Sequence, residues 1–343
     1  MATMKDVAEL AGVSLGTVSN VLNGLSSVSD ENCSRVNDAV QKLNYRPNHA
    51  ARTLKTKKSK SIGLLIPEIE NPFYAEFARG VEDELNELGY NIFLCNSDRN
   101  PNKERNYIHV LLEKNVDGII LYKSHMTARE IGDYQKLCPI VLVDMYAEQG
   151  YKCDIINVDD YKGTWTAVSY LWEYGHRKIA MIAGGYDSVS SMQRVKAYRD
   201  FYAGKDYKVD DYFIRCGSYS CQSGYDCASD LFLMQDKPTA VFCANDMMAI
   251  GTIKALREKK IDIPRDVSVV GYDDINMASL CIPALTTVRQ PKYELGILSA
   301  QYVVKRCEGD TSDPLTVSLE TKLIVRDSVC LSKEGQQKQA PVR

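Results

Sequence analysis

The 343-residue sequence is poor in histidine, with four, and in tryptophan, with two. No Cys-x-x-Cys pair occurs, so the eleven cysteines do not have the spacing of a zinc site. Their odd number, scattered from Cys33 to Cys330, does not suit a disulfide framework either. We read most of them as small core hydrophobes. Cys221 and Cys227 are the best of a weak set for redox chemistry, and no role is assigned to them. No apolar run approaches the roughly 18 residues that span a bilayer. Met1 to Ala11 carries Lys5, Asp6 and Glu9 where a secretory signal needs an apolar core, so the expected location is the cytoplasm. The sequence also lacks a GxxxxGK[ST] loop and a GxGxxG after a strand, and no GxSxG follows an expected strand as a nucleophile elbow does. The expectation is a protein that is not an enzyme and needs no cofactor or metal.

What is present is an ordinary globular mixture, 45% hydrophobic and 25% charged, long enough for two or three domains. Charge is unevenly placed. The first 60 residues hold nine Lys and Arg against five Asp and Glu, a balance of +4 that leaves −7 on the remainder of a chain whose net charge is −3. Six of the basic residues (Arg46, Arg52, Lys55, Lys57, Lys58, Lys60) fall together with no acid between them. A basic head on an acidic body suits a nucleic-acid binder with a separate sensing body, and charge alone fits a solvated linker equally well.

In the head, Met4, Val7, Ala8 and Ala11 share one helical face, and Gly12 can end that helix. Ser14 is placed to cap a second helix with Val18, Val21 and Leu22 inward and Asn23-Gly24 as its stop. Ser29 caps a third, with Asp30 and Glu31 at its positive end and Cys33, Val36, Val40 and Leu43 inward. Two short helices, a three-residue turn containing glycine and a packing helix form the helix-turn-helix pattern.

Beyond residue 60, short apolar runs alternate with amphipathic stretches. Strands are expected at 62–67, 91–95, 117–121 and 140–143, and again at 179–183, 240–244 and 267–271. Helices are expected at 75–88, 104–114, 163–174, 247–259 and 293–306. That alternation predicts βαβ units and parallel sheets, in two halves whose strand ends can face one cleft.

"MATMKDVAELAGVSLGTVSNVLNG" and "VNDAVQKLNYRPNHAARTLKTKKSKSIGLLIP" resemble the head of the lactose-repressor (LacI–GalR) family of bacterial transcription factors. The likeness continues through "NPFYAEFARGVEDELNELGY", "VDGIIL", "GHRKIAMIAG", "PTAVFCANDMMAIG", "VSVVGYDD" and "PALTTVRQP". The resemblance implies an α/β protein: a helix-turn-helix head (1–47), a hinge helix and linker (48–60), and a two-subdomain body like the periplasmic binding proteins (61–330). Its N-subdomain would be about 61–160 and 289–318, and its C-subdomain about 161–288 and 319–330. Residues 331–343 are expected to be a disordered tail, without the apolar heptads of a tetramerising coiled coil.

It further implies a homodimer that binds palindromic operator DNA as a repressor under a small effector, a sugar or sugar derivative rather than a purine. The alternatives are control by a protein co-regulator, or a transport-type sugar-binding protein. Leu15, Gly16 and Asn20 would face base edges, the asparagine suited to adenine, with Thr17 and Ser19 as phosphate contacts or caps. Asn20 departs from the Arg or His that many members carry. Asn48, Ala51, Leu54 and Lys55 would belong to a hinge helix formed on DNA, Leu54 wedging into the minor groove. Matched to the family's motifs, Phe73, Tyr74, Arg194, Tyr219, Asn245 and Asp273 would bind effector, Arg194 gripping hydroxyls or a carboxylate. Asp246 and Asp274 also read as caps. Asp159 and Asp160 read equally as caps or ligand contacts, and the family usually has Asn at the second. Trp165 reads as core or rim, and His176 as a turn feature before a strand.

Overall fold

The protein is described by a computed structural model over residues 2–22, 28–45, 58–145, 150–185, 188–205, 207 and 210–333. It divides into two compact units, Met1–Ser59 and Lys60–Arg343.

In the first unit, helix α1 (Met4–Ala11) starts at Thr3, whose capping box with Asp6 satisfies two backbone donors and holds the Asp6 carboxyl below its usual range. It ends at Gly12, whose φ of 61° is the left-handed conformation a glycine adopts without strain. The Ser14 hydroxyl caps α2 (Leu15–Leu22) by accepting the Thr17 N–H at 3.0 Å. Ser29 caps α3 (Asp30–Lys42), whose first turn carries Asp30 and Glu31. Val7, Ala8, Ala11, Val18, Val36, Ala39 and Tyr45 bury themselves where the three helices meet. The expected stop at Asn23-Gly24 and most of the hinge lie outside the described residues.

The second unit holds two six-stranded sheets. The first is ordered β11-β5-β4-β3-β1-β2, from β1 (Ser61–Ile66), β2 (Asn91–Asn96), β3 (Gly118–Tyr122), β4 (Ile140–Val143), β5 (Asp154–Val158) and β11 (Thr316–Leu319), and is parallel throughout. The second is ordered β12-β10-β9-β8-β6-β7. Its strands are β6 (Ile179–Ala183), β7 (Ile214–Cys216), β8 (Ala240–Cys243), β9 (Ser268–Asp273), β10 (Thr286–Arg289) and β12 (Lys322–Ile324), with β12 antiparallel to β10. The apolar runs therefore become central strands, buried on both faces as parallel strands covered by helices must be.

Helices α4 (Pro72–Glu87), α5 (Pro101–Glu113), α6 (Ala128–Gln135) and α12 (Lys292–Cys307) accompany the first sheet, and α7 (Asp160–Glu173), α8 (Val189–Ala203), α9 (Cys221–Leu231), α10 (Asp246–Glu258) and α11 (Asn276–Leu280) the second. Strands β5, β7, β10, β11 and β12 escaped sequence reading because they are short and several carry polar residues.

The chain crosses between the halves three times. Ladder pairing of Arg289 with Asp273 and of Leu319 with Val158 keeps those residues with their sheets. The second and third crossings therefore fall one or two residues beyond the boundaries expected from sequence. The expected tail also begins too early. Ser332 is buried, its N–H donates to the Tyr174 carbonyl at 2.8 Å and its hydroxyl to that of Gly175 at 2.7 Å. The cysteines correct a further expectation: four are buried, six half-buried and Cys216 exposed, all as free thiols.

Helices α4 and α12 touch backbone to backbone. A Cβ on Gly80 would lie 2.2 Å from the Tyr293 carbonyl oxygen, and one on Gly296 would lie 2.3 Å from that of Phe77. Gly80→Ala is therefore expected to cost about 1–3 kcal/mol by forcing the helices apart. Gly132→Ala, with open space around it, should be neutral or gain up to about 1 kcal/mol. Urea midpoints of the two variants check both values.

His176 gives a second test. It is buried, with Nδ1 3.0 Å from the Thr239 hydroxyl and Nε2 3.0 Å from the Cys330 carbonyl. A carbonyl only accepts, so Nε2 carries the proton and Nδ1 accepts from Thr239. Burial lowers this imidazole's pKa below the usual 6.5. Stability from the neutral ring is complete above pH 6.5 and falls as acid protonates the ring. The urea midpoint should drop between pH 7 and 5, and His176→Gln should flatten that slope.

Candidate ligand cleft and DNA-reading helix

In each sheet the strand order reverses once, between β1 and β3 in the first and between β6 and β8 in the second. Carboxyl ends on either side of such a reversal form the crevice where open α/β sheets bind ligands. Residues at and beyond the carboxyl ends of β1, β3, β4, β6, β7, β8 and β9 line one small cavity: Phe73, Tyr74, Lys123, Asp144, Arg194, Tyr219, Asn245 and Asp273 among them. It has about 20 Å³ of free volume, room for about one water molecule. A larger cavity of about 520 Å³ opens beside it and shares Lys123, Asp144 and Tyr219.

Asn71 caps α4 by accepting the Phe73 N–H at 3.0 Å, which sets the two aromatics that follow. Phe73, Tyr74 and Tyr122 pack edge to face with ring centres 5.1–5.9 Å apart. Burial pushes the Tyr74 phenol up to about 12, so it stays a neutral hydroxyl. Lys123 and Asp144 pair at 3.0 Å. Burial opposes the charge on Lys123, and Asp144 together with Tyr74 and Tyr219 outweighs it, raising the ammonium pKa. From the other half, Tyr219 lays its ring beneath Lys123 and Arg99, at 4.9 and 5.2 Å from its centre. Its carbonyl accepts the Asn245 amide at 2.9 Å and its hydroxyl donates to Ser188 at 3.2 Å.

Arg194 is sealed in, with Nε 2.9 Å and Nη2 2.8 Å from Asp160 Oδ1. Asp273 accepts the Gln290 amide at 2.6 Å, while its carbonyl takes the Lys292 ammonium at 2.8 Å. Burial pushes the Asp273 carboxyl up to about 6, against the pull of Arg194 and Lys292. Lys123, Asp144, Tyr219 and Asp273 all hold positive φ without being glycine. Such strain persists where surrounding structure over-determines it, and it concentrates at ligand clamps.

The profile for bacterial regulatory proteins of the lacI family matches residues 3–48, and the periplasmic binding protein-like domain profile matches 168–329. The HTH-type transcriptional repressor PurR of Vibrio atlanticus (strain LGP32) is 37% identical over 331 residues, covering 96% of this chain and 99% of its own. The ribose operon repressor of Escherichia coli (strain K12) is 37% identical over 330 residues, covering 96% and 100%. This chain belongs to the lacI family of bacterial regulatory proteins. Among solved structures, the lac repressor dimer bound to operator and the anti-inducer ONPF is 28% identical, with a TM-score of 0.86 over 96% of this chain and 99% of that one. A CelR–cellobiose complex is 31% identical, with a TM-score of 0.72 over 96% and 100%.

The cleft of this lacI-family regulator gathers all six residues chosen from sequence as effector contacts, Phe73, Tyr74, Arg194, Tyr219, Asn245 and Asp273. Asn245 is also the cap of α10, accepting the Met248 N–H at 2.9 Å. Asp159 caps α7, whereas Asp160 pairs with Arg194. Asp246 and Asp274 are structural. Asp246 holds the Ile275 N–H at 2.9 Å and the Thr287 hydroxyl, and Asp274 pairs with Arg289 and Arg326. Trp165 sits at the surface, 37% exposed. Lys123 and Asp144 were missed, although the rule that selected Phe73, looking just past a strand end, also points to them.

In the head, Leu15 and Gly16 are exposed at the start of α2, and Thr17, Ser19 and Asn20 are half-buried. The Thr17 hydroxyl lies 2.9 Å from that of Ser14, so it completes the cap. Asn48, Ala51, Leu54 and Lys55 lie outside the described residues.

The raised pKa of Asp273 has a defined sign. Its folded value exceeds the ordinary 3.8, so its contribution to stability is present in acid and is lost as pH rises through about 6. Asp273→Asn should melt progressively higher than wild type as pH is raised from 4 to 7, with the two curves converging in acid. Parallel curves across that range would contradict the assignment.

Proposed function

We propose that this protein is a repressor that binds a palindromic operator as a homodimer and is controlled by a small effector, a sugar or sugar derivative, in the cleft. The observation that carries the reading is the convergence of Phe73, Tyr74, Arg194, Tyr219, Asn245 and Asp273 from both halves on one polar cavity. Ligand held between the halves favours their closed arrangement. Its effect on DNA equals its difference in affinity for the two arrangements. The resemblance to the ribose operon repressor and to the cellobiose-bound regulator favours a sugar. The resemblance to PurR makes a purine the second reading.

Two exposed apolar patches supply surfaces for the second copy. Leu88, Phe93 and Leu94 lie on and beside edge strand β2, and Met277, Leu280 and Ile282 lie on and after α11.

Selection of bound DNA from a random pool, with and without sugars and purines, tests the whole reading. It should return a two-fold symmetric site whose retention responds to a sugar; response to a purine alone would move the assignment to the second reading. Asn20→Ala should lose about 1–3 kcal/mol of discrimination at one base position in each half-site. An unchanged selected sequence would remove Asn20 from base reading. Phe93→Lys combined with Leu280→Lys should shift sedimentation toward monomer.

A further inference from the structure

Arg194 is the cation best placed to receive a ligand in the inner cavity, and it is already engaged. Nε and Nη2 reach Asp160, Nη1 donates to the Ala244 carbonyl, and the guanidinium lies 3.7 Å from the Tyr272 ring centre. Three of its five N–H bonds are accounted for in this way. Arg194 and Asp160 are 3% and 7% exposed, so water does little to screen the pair. Lys123 is matched in the same manner by Asp144 at 3.0 Å. Lys292 gives its ammonium to the carbonyls of Asp273 and Asp274, with Glu76 at 3.4 Å. Each cation around the cavity therefore meets its counter-group before a ligand arrives.

A carboxylate or phosphate entering here would give up its hydration and face Asp144 and Asp273 with each neighbouring cation already compensated. A neutral hydroxyl or amide gives up far less. It can accept from Arg194 and donate to the Asp144 carboxylate, both of which line the cavity.

The geometry points to Asp160 as the residue that sets the charge class of the ligand: by occupying Arg194 it lets a ligand in the adjoining cavity of about 520 Å³ extend neutral hydroxyl or amide groups into the inner one and turns away carboxylates and phosphates. This rests on the cleft being the effector site. Asp160 acts through Arg194 and is a specificity-determining, positioning residue. Asp160→Asn preserves its shape and leaves the guanidinium without its counter-charge.

The full-length protein tests this with two readouts. The first is the melting temperature in a sodium formate series, formate being a small probe for a bare guanidinium. The Asp160→Asn variant should gain several degrees relative to wild type; identical responses overturn the proposal. The second is calorimetric binding of matched pairs, ribose against ribonate and hypoxanthine against purine-6-carboxylate. Wild type should prefer the neutral member of whichever pair it binds by more than about tenfold, and the variant should narrow that preference. An anionic member bound by wild type as tightly as its neutral partner overturns the proposal, and this arm needs no variant. A formate response confined to the variant, with no sugar bound by either protein, supports the charge filter while the sugar reading fails. Ribose binding with no formate difference leaves the sugar reading standing and removes the filter.

Discussion

A guanidinium cannot sit uncompensated in a dry cleft. That constraint organises the centre of this molecule. Arg194 on α8 needs a carboxylate, and Asp160 supplies it from the first turn of α7. Asp160 stands beside the first crossing, so the ion pair ties the crossing strand to the ligand-facing helix of the second half. Tyr272 backs the guanidinium from β9, and the Ala244 carbonyl closes it from the end of β8. Four elements thus meet at one charge, and the cavity is what they leave open.

Strain collects at the same place. Lys123 and Asp144 follow neighbouring parallel strands in left-handed conformations, and Tyr219 and Asp273 hold positive φ on the opposite wall. Residues other than glycine hold such conformations only when their neighbours leave them no alternative. Asn245 fixes the Tyr219 carbonyl and Ser188 receives its hydroxyl. A Cβ on Gly184 would lie 2.1 Å from the Tyr219 ring, so only glycine lets the ring lie flat against that strand end. The ring then meets Lys123 and Arg99 from the first half, so both halves share one aromatic surface.

Much of this was legible in the sequence. The head's helix boundaries follow from Ser14, Ser29 and Gly12, because caps and left-handed glycines act locally. The central strands follow from runs such as Ile179–Ala183, because strands buried on both faces must be apolar throughout. Strands β10, β11 and β12 were not visible, since pairing partners more than a hundred residues away in the case of β11 give Thr316–Leu319 its place. The six cleft residues were found by family motif together with strand ends. The Arg194–Asp160 pair joins positions 34 residues apart on two helices, and no spacing rule connects them. Leu331–Lys333 read as tail because the acceptors for Ser332 are carbonyls, which carry no side-chain signature.

The three crossings have a mechanical consequence. A single tether would let the two halves swivel in any direction, whereas three threads running side by side resist twist and shear and yield most readily to bending. Such a strip behaves as a door hinge with one soft axis. A small push from a ligand at the cleft floor is then delivered as motion of a set direction at the far end of the first half, with little of it lost to idle wobble.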